Sequence, residues 1–593
     1  MLPNSTLRLE VSKIAPNYKT PWATGAPSAS SATVTVLSYE GNIYLVTNAH
    51  AVTHTSYLKV KLNKNSTELP VKVVWVDSVL DLAILATTGD LAVSADELLK
   101  KEMTPLEIIP TFQKQGTAVS AYGYAAGGRS LSFTRGTISR VELSTMACSG
   151  EIAITIQTSA AINPGNSGGP ITCRMPDGTE KCIGIVAQGA PMLQNTGYFI
   201  PACTVIATIE RYLQFGSLRN IGLINSCTAP AMSFVWQPLK NKELRQSLGL
   251  PKTALGEELT GIRVSNIHRS SCAYGIMQTG DIIQEIDGTP IQSNGQVEIE
   301  GLEHPIGFNF LVLQKKFLST LNITIQRAKP GSLELEKLVL AVRLNKQIGQ
   351  YIDGPKYAEP LKYHIQPCGK AGAFIFVRYT RPLSSMINQG TNAGTPWFSS
   401  GLSNMYKKDV SEIVVLHSII VSEETDGYES LPIVQGAACS SHRVTTVTAM
   451  TTSADGKIVT GEDVNIDSLY DLVTAFEDAS KTYIVTFANK MVMVIAPQHK
   501  EAKINLQRSH HISFFTSPTI AKINPSLLIE QISKLGERDD NKFDFLKHVD
   551  TVVTSDCVVI DAQSVIETVI PEEEEEELEE ETSDAAGMKH AHD

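Results

Sequence analysis

Asn163-Pro-Gly-Asn-Ser-Gly-Gly-Pro170 carries the densest turn signal in the chain. Two prolines and three glycines in eight residues suit neither a helix nor a strand interior, so a tight turn must hold Ser167. Ser167 lies two residues after Gly165, which sets its own N–H and that of Gly165 side by side as a donor pair for a developing oxyanion. Taken alone, the motif also reads as a surface turn that happens to contain a serine. Its flanks narrow the choice. Short apolar or β-branched runs bounded by turn residues occur at 152–157 and 183–188 on either side, and further out at 32–37, 43–47, 58–62, 71–76, 82–86 and 118–122. The first helical pattern is 204–215. Many strands without intervening amphipathic helices predict an all-β barrel or sandwich, not a βαβ sheet.

A serine hydroxyl is a weak nucleophile at neutral pH and needs a base, itself oriented by a carboxylate. Both partners are found upstream. Leu45-Val-Thr-Asn-Ala-His-Ala-Val52 places His50 just past an apolar strand, and Asp77-Ser-Val-Leu-Asp-Leu-Ala-Ile-Leu85 places Asp81 at the head of another, with Asp77 as the second carboxylate in range. Each residue alone is more ordinarily packing, a cap or a turn. Together, in the order His, Asp, Ser at intervals of 31 and 86 residues inside a β region of about 200, they predict a double-barrel serine protease.

Composition supports several globular domains and excludes other classes. The 593 residues are 42% hydrophobic and 19% charged, enough for three or four domains of about 150 residues. The apolar run 413–421 is interrupted by His417 and Ser418 and is shorter than the roughly 20 residues that span a bilayer, so no membrane insertion is expected. Net charge is −12, but 571–593 holds nine Glu, two Asp and one Lys, so the other 570 residues carry only −2. A near-neutral body offers no cationic field to a phosphate backbone, and no nucleic-acid partner is expected. Arg8, Glu10 and Lys13 interrupt the one place where an export signal's apolar core would sit. Nine cysteines, odd in number and without a Cys-x-x-Cys pair, agree with a reducing compartment and give no structural zinc site. Cys173 and Cys182 flank a Pro176-Asp177-Gly178 turn and read as two reduced thiols in a hairpin, a cross-strand disulfide being the alternative. No cofactor or metal set is indicated.

The chain resembles the HtrA/Deg serine proteases. The resemblance rests on Asn48-Ala-His50, Asp81-Leu-Ala83, Gly123-Tyr-Ala-Ala-Gly-Gly128 with Ser132-Phe-Thr-Arg-Gly-Thr-Ile-Ser139, Ala160-Ala-Ile-Asn163 running into the Ser167 turn, and Gly197-Tyr-Phe-Ile-Pro201. Further matches, Ala15-Pro-Asn-Tyr-Lys-Thr-Pro-Trp22, Trp236-Gln, His304-Pro-Ile-Gly-Phe308 and Asp426-Gly-Tyr-Glu429, are similar to the plant-type members with two PDZ modules.

The resemblance implies a chymotrypsin-like double β-barrel over 1–219, two α+β PDZ-like domains at 225–345 and 346–500, an extension of unassigned structure at 501–564 and a disordered acidic tail at 565–593. It implies an ATP-independent endopeptidase with His50 as general base, Asp81 as the orienting carboxylate, Ser167 as nucleophile, and Gly165 and Ser167 N–H groups as the oxyanion hole. Ala161, six residues before the nucleophile, would form the base of the specificity pocket. Expected partners are protein or peptide substrates and further copies of the chain, as a trimer or multiple of trimers.

The Ala273–Gly288 stretch looks like the PDZ segment leading into an Asp-Gly turn, but Ser233 stands where a carboxylate-binding loop has Gly, so packing and peptide binding are both open for that module. A chaperone-like or scaffolding oligomer is the alternative function. Two readings also fit the Glu-rich tail: a solvating segment, or an acidic type IV secretion signal that would send the protease into a host cell.

Overall fold

A computed structural model describes residues 4–62, 67–88, 101–125, 128, 130–146, 152–189, 196–220, 229–230, 232, 234–250, 260–267, 271–316, 319–332, 334–344, 362–380, 383, 413–428, 430–433, 443–452, 458–512 and 514–516. The expectations for Ser233 and for the acidic tail fall outside the described residues.

The first barrel begins with β1 (Thr6–Pro16), whose alternation puts Leu7, Leu9 and Val11 inside and leaves Arg8 and Glu10 partly exposed. It continues through β2 (Thr24–Tyr39), β3 (Asn42–Thr47), β4 (Thr55–Lys61), β5 (Glu68–Asp77) and β6 (Leu82–Thr87). The strand order is β1-β4-β5-β6-β3-β2, and antiparallel pairing of β1 with β2 closes the circle, leaving no edge among these six. A two-residue strand, β7 (Leu106–Glu107), adds to β2 in parallel.

The second barrel is closed in the order β10-β13-β12-β11-β8-β9, from β8 (Ala118–Gly123), β9 (Ser132–Thr145), β10 (Ile152–Thr158), β11 (Pro170–Arg174), β12 (Glu180–Gly189) and β13 (Gly197–Pro201). Leu7, Val34, Val60 and Leu85 fill the first barrel; Val119, Ile138, Ile171 and Phe199 fill the second. Between the barrels lies a third core, where Trp75, Leu82 and Ile185 meet Val205 and Ile209 of the helix Ala202–Asn220. Trp75 is fully buried and meets Tyr212 edge-on at 6.0 Å. Truncating such a ring typically costs about 3–5 kcal/mol, so this contact is a principal tie between barrels and helix. Cys173 and Cys182 are free thiols on the β11–β12 hairpin, and they point into different cores, which excludes a bond between them.

Past the barrels, β14 (Phe234–Pro238), β15 (Ile262–Ile267), β16 (Ile282–Ile286), β20 (Thr320–Ala328) and β21 (Leu335–Arg343) form one sheet in that order; the short β17 (Thr289–Pro290) pairs with β16, and β18 (Gln296–Val297) pairs with β19 (Ile306–Gly307). A bidentate pair from Arg327 to Asp281, 2.7 Å at each end, braces it. Its core reaches across to Val141, Leu143 and Ile154 of the second barrel, so this module is seated on the protease fold.

The last module has a three-stranded sheet, β22 (Tyr363–Cys368), β23 (Gly372–Arg378) and β24 (Val414–Ile420), and a four-stranded sheet, β26 (Ile458–Asn465), β25 (Val444–Thr452), β27 (Thr482–Phe487) and β28 (Val492–Ile495). β23 reads Gly-Ala-Phe-Ile-Phe-Val-Arg with no polar alternation because both its faces are covered. Ile375 and Val377 face one core, Phe374 and Phe376 the other. The helix Leu469–Ala475 starts where Ser468 Oγ accepts the Asp471 N–H. A further helix, Ala502–His510, packs Leu506 into the first of these cores, and Thr516 bridges back to His364 on β22.

Candidate active site

His50 sits in a single helical turn, Ala49–Val52, immediately after β3. Asp81 occupies the turn between β5 and β6 and holds the left-handed backbone conformation, φ +57°, that a short polar side chain tolerates better than most. Three hydrogen bonds lock the two turns together. Asn48 Nδ2 donates to the Asp81 carbonyl at 2.9 Å, the His50 N–H donates to Asp81 Oδ1 at 2.9 Å, and His50 Nδ1 meets Asp81 Oδ2 at 2.8 Å. A carboxylate can only accept, so the proton lies on Nδ1 and the lone pair on Nε2. The Asp81 side chain is 3% exposed and that of His50 32%, so the carboxylate is sheltered while the ring reaches solvent. Burial alone would lower the His50 pKa; the Asp81 charge and hydrogen bond outweigh it, with Lys13 opposing, and the net shift is upward.

Asp77 does something different. It is fully buried and paired with Arg211 of the helix Ala202–Asn220, Nη2 to Oδ2 3.1 Å, while its Oδ1 caps the Leu80 N–H at 3.0 Å. Arg211 Nη1 also reaches the carbonyls of Leu313 and Lys315 at 3.4 Å. Of the two aspartates, Asp81 is the one that touches His50.

The Ser167 turn is built from the backbone. Asn166 N–H donates to the Asn163 carbonyl at 3.0 Å, Gly169 to Asn166 at 2.9 Å, and Gly168 to Val186 of β12 at 3.1 Å. Among the described residues the N–H groups of Gly165 and Ser167 find no acceptor, which leaves them available to a ligand oxygen. Gly165 has φ +96° and Gly168 φ +86°. At Gly168 a Cβ would also lie 2.1 Å from the Thr33 carbonyl oxygen and 2.4 Å from Thr47 Oγ1, so only glycine fits.

That close approach ties the turn to the first barrel. Thr33 N–H on β2 donates to the Ser167 carbonyl at 2.9 Å, and Thr33 Oγ1 donates to the Gly165 carbonyl at 2.7 Å while accepting the Tyr124 N–H. Thr35 Oγ1 donates to the Gly168 carbonyl, and Thr47 Oγ1, three residues before His50, to that of Thr33. The fold therefore brings His50 and Asp81 into contact and fixes the Ser167 backbone against β2, next to β3, the strand that leads into the His50 turn. No hydrogen bond joins Ser167 Oγ to His50 among the described residues, a bond that in unliganded enzymes commonly tightens only with substrate. Ala161 accepts from Thr134 Oγ1 through its carbonyl at 2.9 Å, and its neighbour Ile162 packs so closely on Gly197 that a Cβ there would lie 2.2 Å from Ile162 Cγ1.

Residues 32–185 match the family model of a trypsin-like peptidase domain, and residues 356–519 that of a PDZ domain. Over 384 residues the chain is 30% identical to Protease Do-like 4, mitochondrial, of Arabidopsis thaliana, covering 64% of this chain and 65% of that protein. Over these spans the chain is similar to HtrA/Deg proteases. Other similar members are Protease Do-like 2, chloroplastic, of the same plant (27% over 432 residues; 72% of this chain, 64% of that protein) and Serine protease Do-like HtrA of Bacillus subtilis (33% over 197 residues; 32% and 41%). The chain spans about two thirds of the length of the first two plant relatives.

The chain carries a chymotrypsin-like double barrel followed by a PDZ domain, and the peptidase match contains His50, Asp81, Ala161, Gly165 and Ser167. Thr33, Asn48 and Arg211 were not legible as site residues. The signal that could have flagged them is polarity in an apolar setting: Thr33 and Thr35 within Ala32–Leu37, and Arg211 among Val205, Ile209 and Tyr212.

Proposed function

We propose that this chain is a serine endopeptidase of HtrA/Deg type that hydrolyses peptide bonds in unfolded or selected protein chains through an acyl-enzyme. The observation that carries the proposal is the double engagement of His50 by Asp81, which presents a lone pair on Nε2 at the edge of a partly open ring. In this reading His50 Nε2 takes the proton of Ser167 Oγ as that oxygen attacks the scissile carbonyl carbon. The carbonyl oxygen becomes an oxyanion facing the Gly165 and Ser167 N–H groups. Collapse breaks the C–N bond, His50 gives its proton to the leaving amine, and the acyl group remains as an ester on Ser167. Water, deprotonated by His50, then attacks the ester; the acid leaves and the proton returns to Ser167. Asp81 stays ionised throughout and stabilises the transient imidazolium.

Ala161 at the base of the pocket offers no partner for a cationic side chain, so cleavage follows small or medium aliphatic residues. Assembly into trimers or their multiples is part of the same reading, measurable by light scattering. Casein digestion by the purified protein beside Ser167→Ala tests the function: loss of turnover in the variant supports it, and equal turnover rejects it in favour of a scaffold.

A further inference from the structure

The Ala15–Trp22 motif has no part in the chemistry above, and the fold gives it a place. It forms the tip of the β1–β2 hairpin, whose register ends at Pro16 opposite Thr24. The neck is pinched: a Cβ on Gly25 would lie 2.8 Å from the Ala15 carbonyl oxygen. Beyond it Asn17 Oδ1 accepts the N–H groups of Lys19 and Thr20 at 3.0 and 3.2 Å, and the Ala23 N–H returns to Thr20. This ordered tip leaves the barrel and docks on the last module. Tyr18 and Trp22 pack against the core of Ile365, Ile375, Val415 and Leu506. Trp22 Nε1 donates to the His510 carbonyl at 3.1 Å, and the Tyr18 carbonyl meets His417 Nε2 at 2.7 Å. A carbonyl only accepts, so His417 carries its proton on Nε2 while Nδ1 faces the Ser418 hydroxyl at 2.9 Å. Burial keeps this ring neutral, its pKa pushed down to about 4.

At the neck of the same hairpin, just before the tip, Lys13 Nζ donates to the His50 carbonyl at 3.1 Å and the Ile14 N–H donates to the His54 carbonyl at 2.9 Å. The charged groups facing His50 are Asp81, from the turn before β6, and Lys13, from β1; Lys13 also faces His54.

We propose that the β1–β2 hairpin is a lever through which the PDZ module, docked on Tyr18 and Trp22, seats Lys13 on the His50 turn, making Lys13 a positioning residue that sets the charge environment of the general base. The proposal rests on His50 acting as that base. A fixed cation beside His50 disfavours the imidazolium, and half-burial of Lys13 strengthens the effect by reducing screening. Losing that charge, or its seat, moves the acid limb of activity to higher pH.

The test uses the full chain and pH–rate profiles of peptide hydrolysis for wild type, Lys13→Met, Lys13→Gln, Lys13→Arg, Trp22→Ala and the Lys13→Met/Trp22→Ala double variant, with hydrogen exchange over residues 413–420 as a readout of docking. Lys13→Met and Lys13→Gln should both lower the rate on the acid limb about threefold relative to their own plateaus, the size expected for one charge several ångströms away in a largely aqueous dielectric. Lys13→Gln keeps a donor for the His50 carbonyl, so it separates charge from hydrogen bond, and Lys13→Arg should restore the wild-type limb. Trp22→Ala should raise exchange at β24 and shift the limb in the same direction, with no further shift in the double variant. An unmoved limb in both Lys13→Met and Lys13→Gln, or a Trp22→Ala shift that adds in full to that of Lys13→Met, overturns the lever. A wild-type profile with no acid limb, or turnover by Ser167→Ala, would instead overturn the triad on which it rests.

Discussion

Asp77 and Asp81 lie four residues apart, and the structure gives them opposite duties, so replacing each should dissociate stability from activity. Asp77→Ala removes one half of an ion pair in which both side chains are 0% exposed and 3.1 Å apart. Among the described residues, the Arg211 guanidinium would then keep the Leu313 and Lys315 carbonyls at 3.4 Å and Thr208 Oγ1 at 3.3 Å. Leaving a buried charge without its counter-ion typically costs about 3–5 kcal/mol. For a protease domain of about 200 residues, each kcal/mol lowers Tm by about 2–4 °C, so Tm should fall by roughly 6–20 °C. The Leu80 N–H also loses its acceptor next to Asp81. One such bond corresponds to about a tenfold change in rate, which bounds the loss of turnover at 25 °C.

Asp81→Asn should do the reverse: a nearly unchanged Tm, with turnover down by about four orders of magnitude because His50 loses the acceptor that fixes its tautomer. Melting curves recorded in a Ser167→Ala background avoid self-digestion, and initial rates on a fluorogenic peptide supply the other axis. Full stability with abolished turnover in Asp77→Ala, together with an active Asp81→Asn, would refute the assignment.

The upward shift of His50 means that its protonated, inactive form persists to higher pH than in a free histidine, so the rate should fall with acidification around a midpoint above the ordinary ~6.5; a rate flat to about pH 4 would remove His50 as base. Gly168→Ala should destroy activity and lower Tm, since the new methyl would meet the Thr33 carbonyl at 2.1 Å in a backbone with φ +86°; normal turnover would show that the turn relaxes freely. Mass-spectrometric mapping of casein fragments should find cuts after Val, Ala or Leu, moving toward Lys and Arg in Ala161→Asp; a wild-type map dominated by basic residues would reject Ala161 as the pocket base.

The strand succession between 32 and 188 was legible because each run is short, β-branched and bounded by turns, and the spacing of His50, Asp81 and Ser167 pointed to the chemistry proposed above. β1 was not legible. Its charges at Arg8, Glu10 and Lys13 weighed against an export signal, while their alternation with Leu7, Leu9 and Val11 is the period of a half-buried strand. β9 was missed because only Ile138 of its fourteen residues is fully buried, its outer positions Val141 and Leu143 being covered by the next module instead. His417, read as an interruption of an apolar run, is itself 0% exposed and binds the Tyr18 carbonyl. The contacts of Thr33 with Gly165 and of Arg211 with Asp77 span more than 130 residues and leave no local pattern.

Activation of Ser167 as a nucleophile by His50 can be read out by covalent labelling with an organophosphonate aimed at serine hydrolases, followed by intact mass and peptide mapping at neutral pH. One adduct per chain is expected on Ser167, formed by the wild type and lost or greatly slowed in His50→Ala. An adduct on another serine, or labelling of Ser167 at an unchanged rate in His50→Ala, would contradict it.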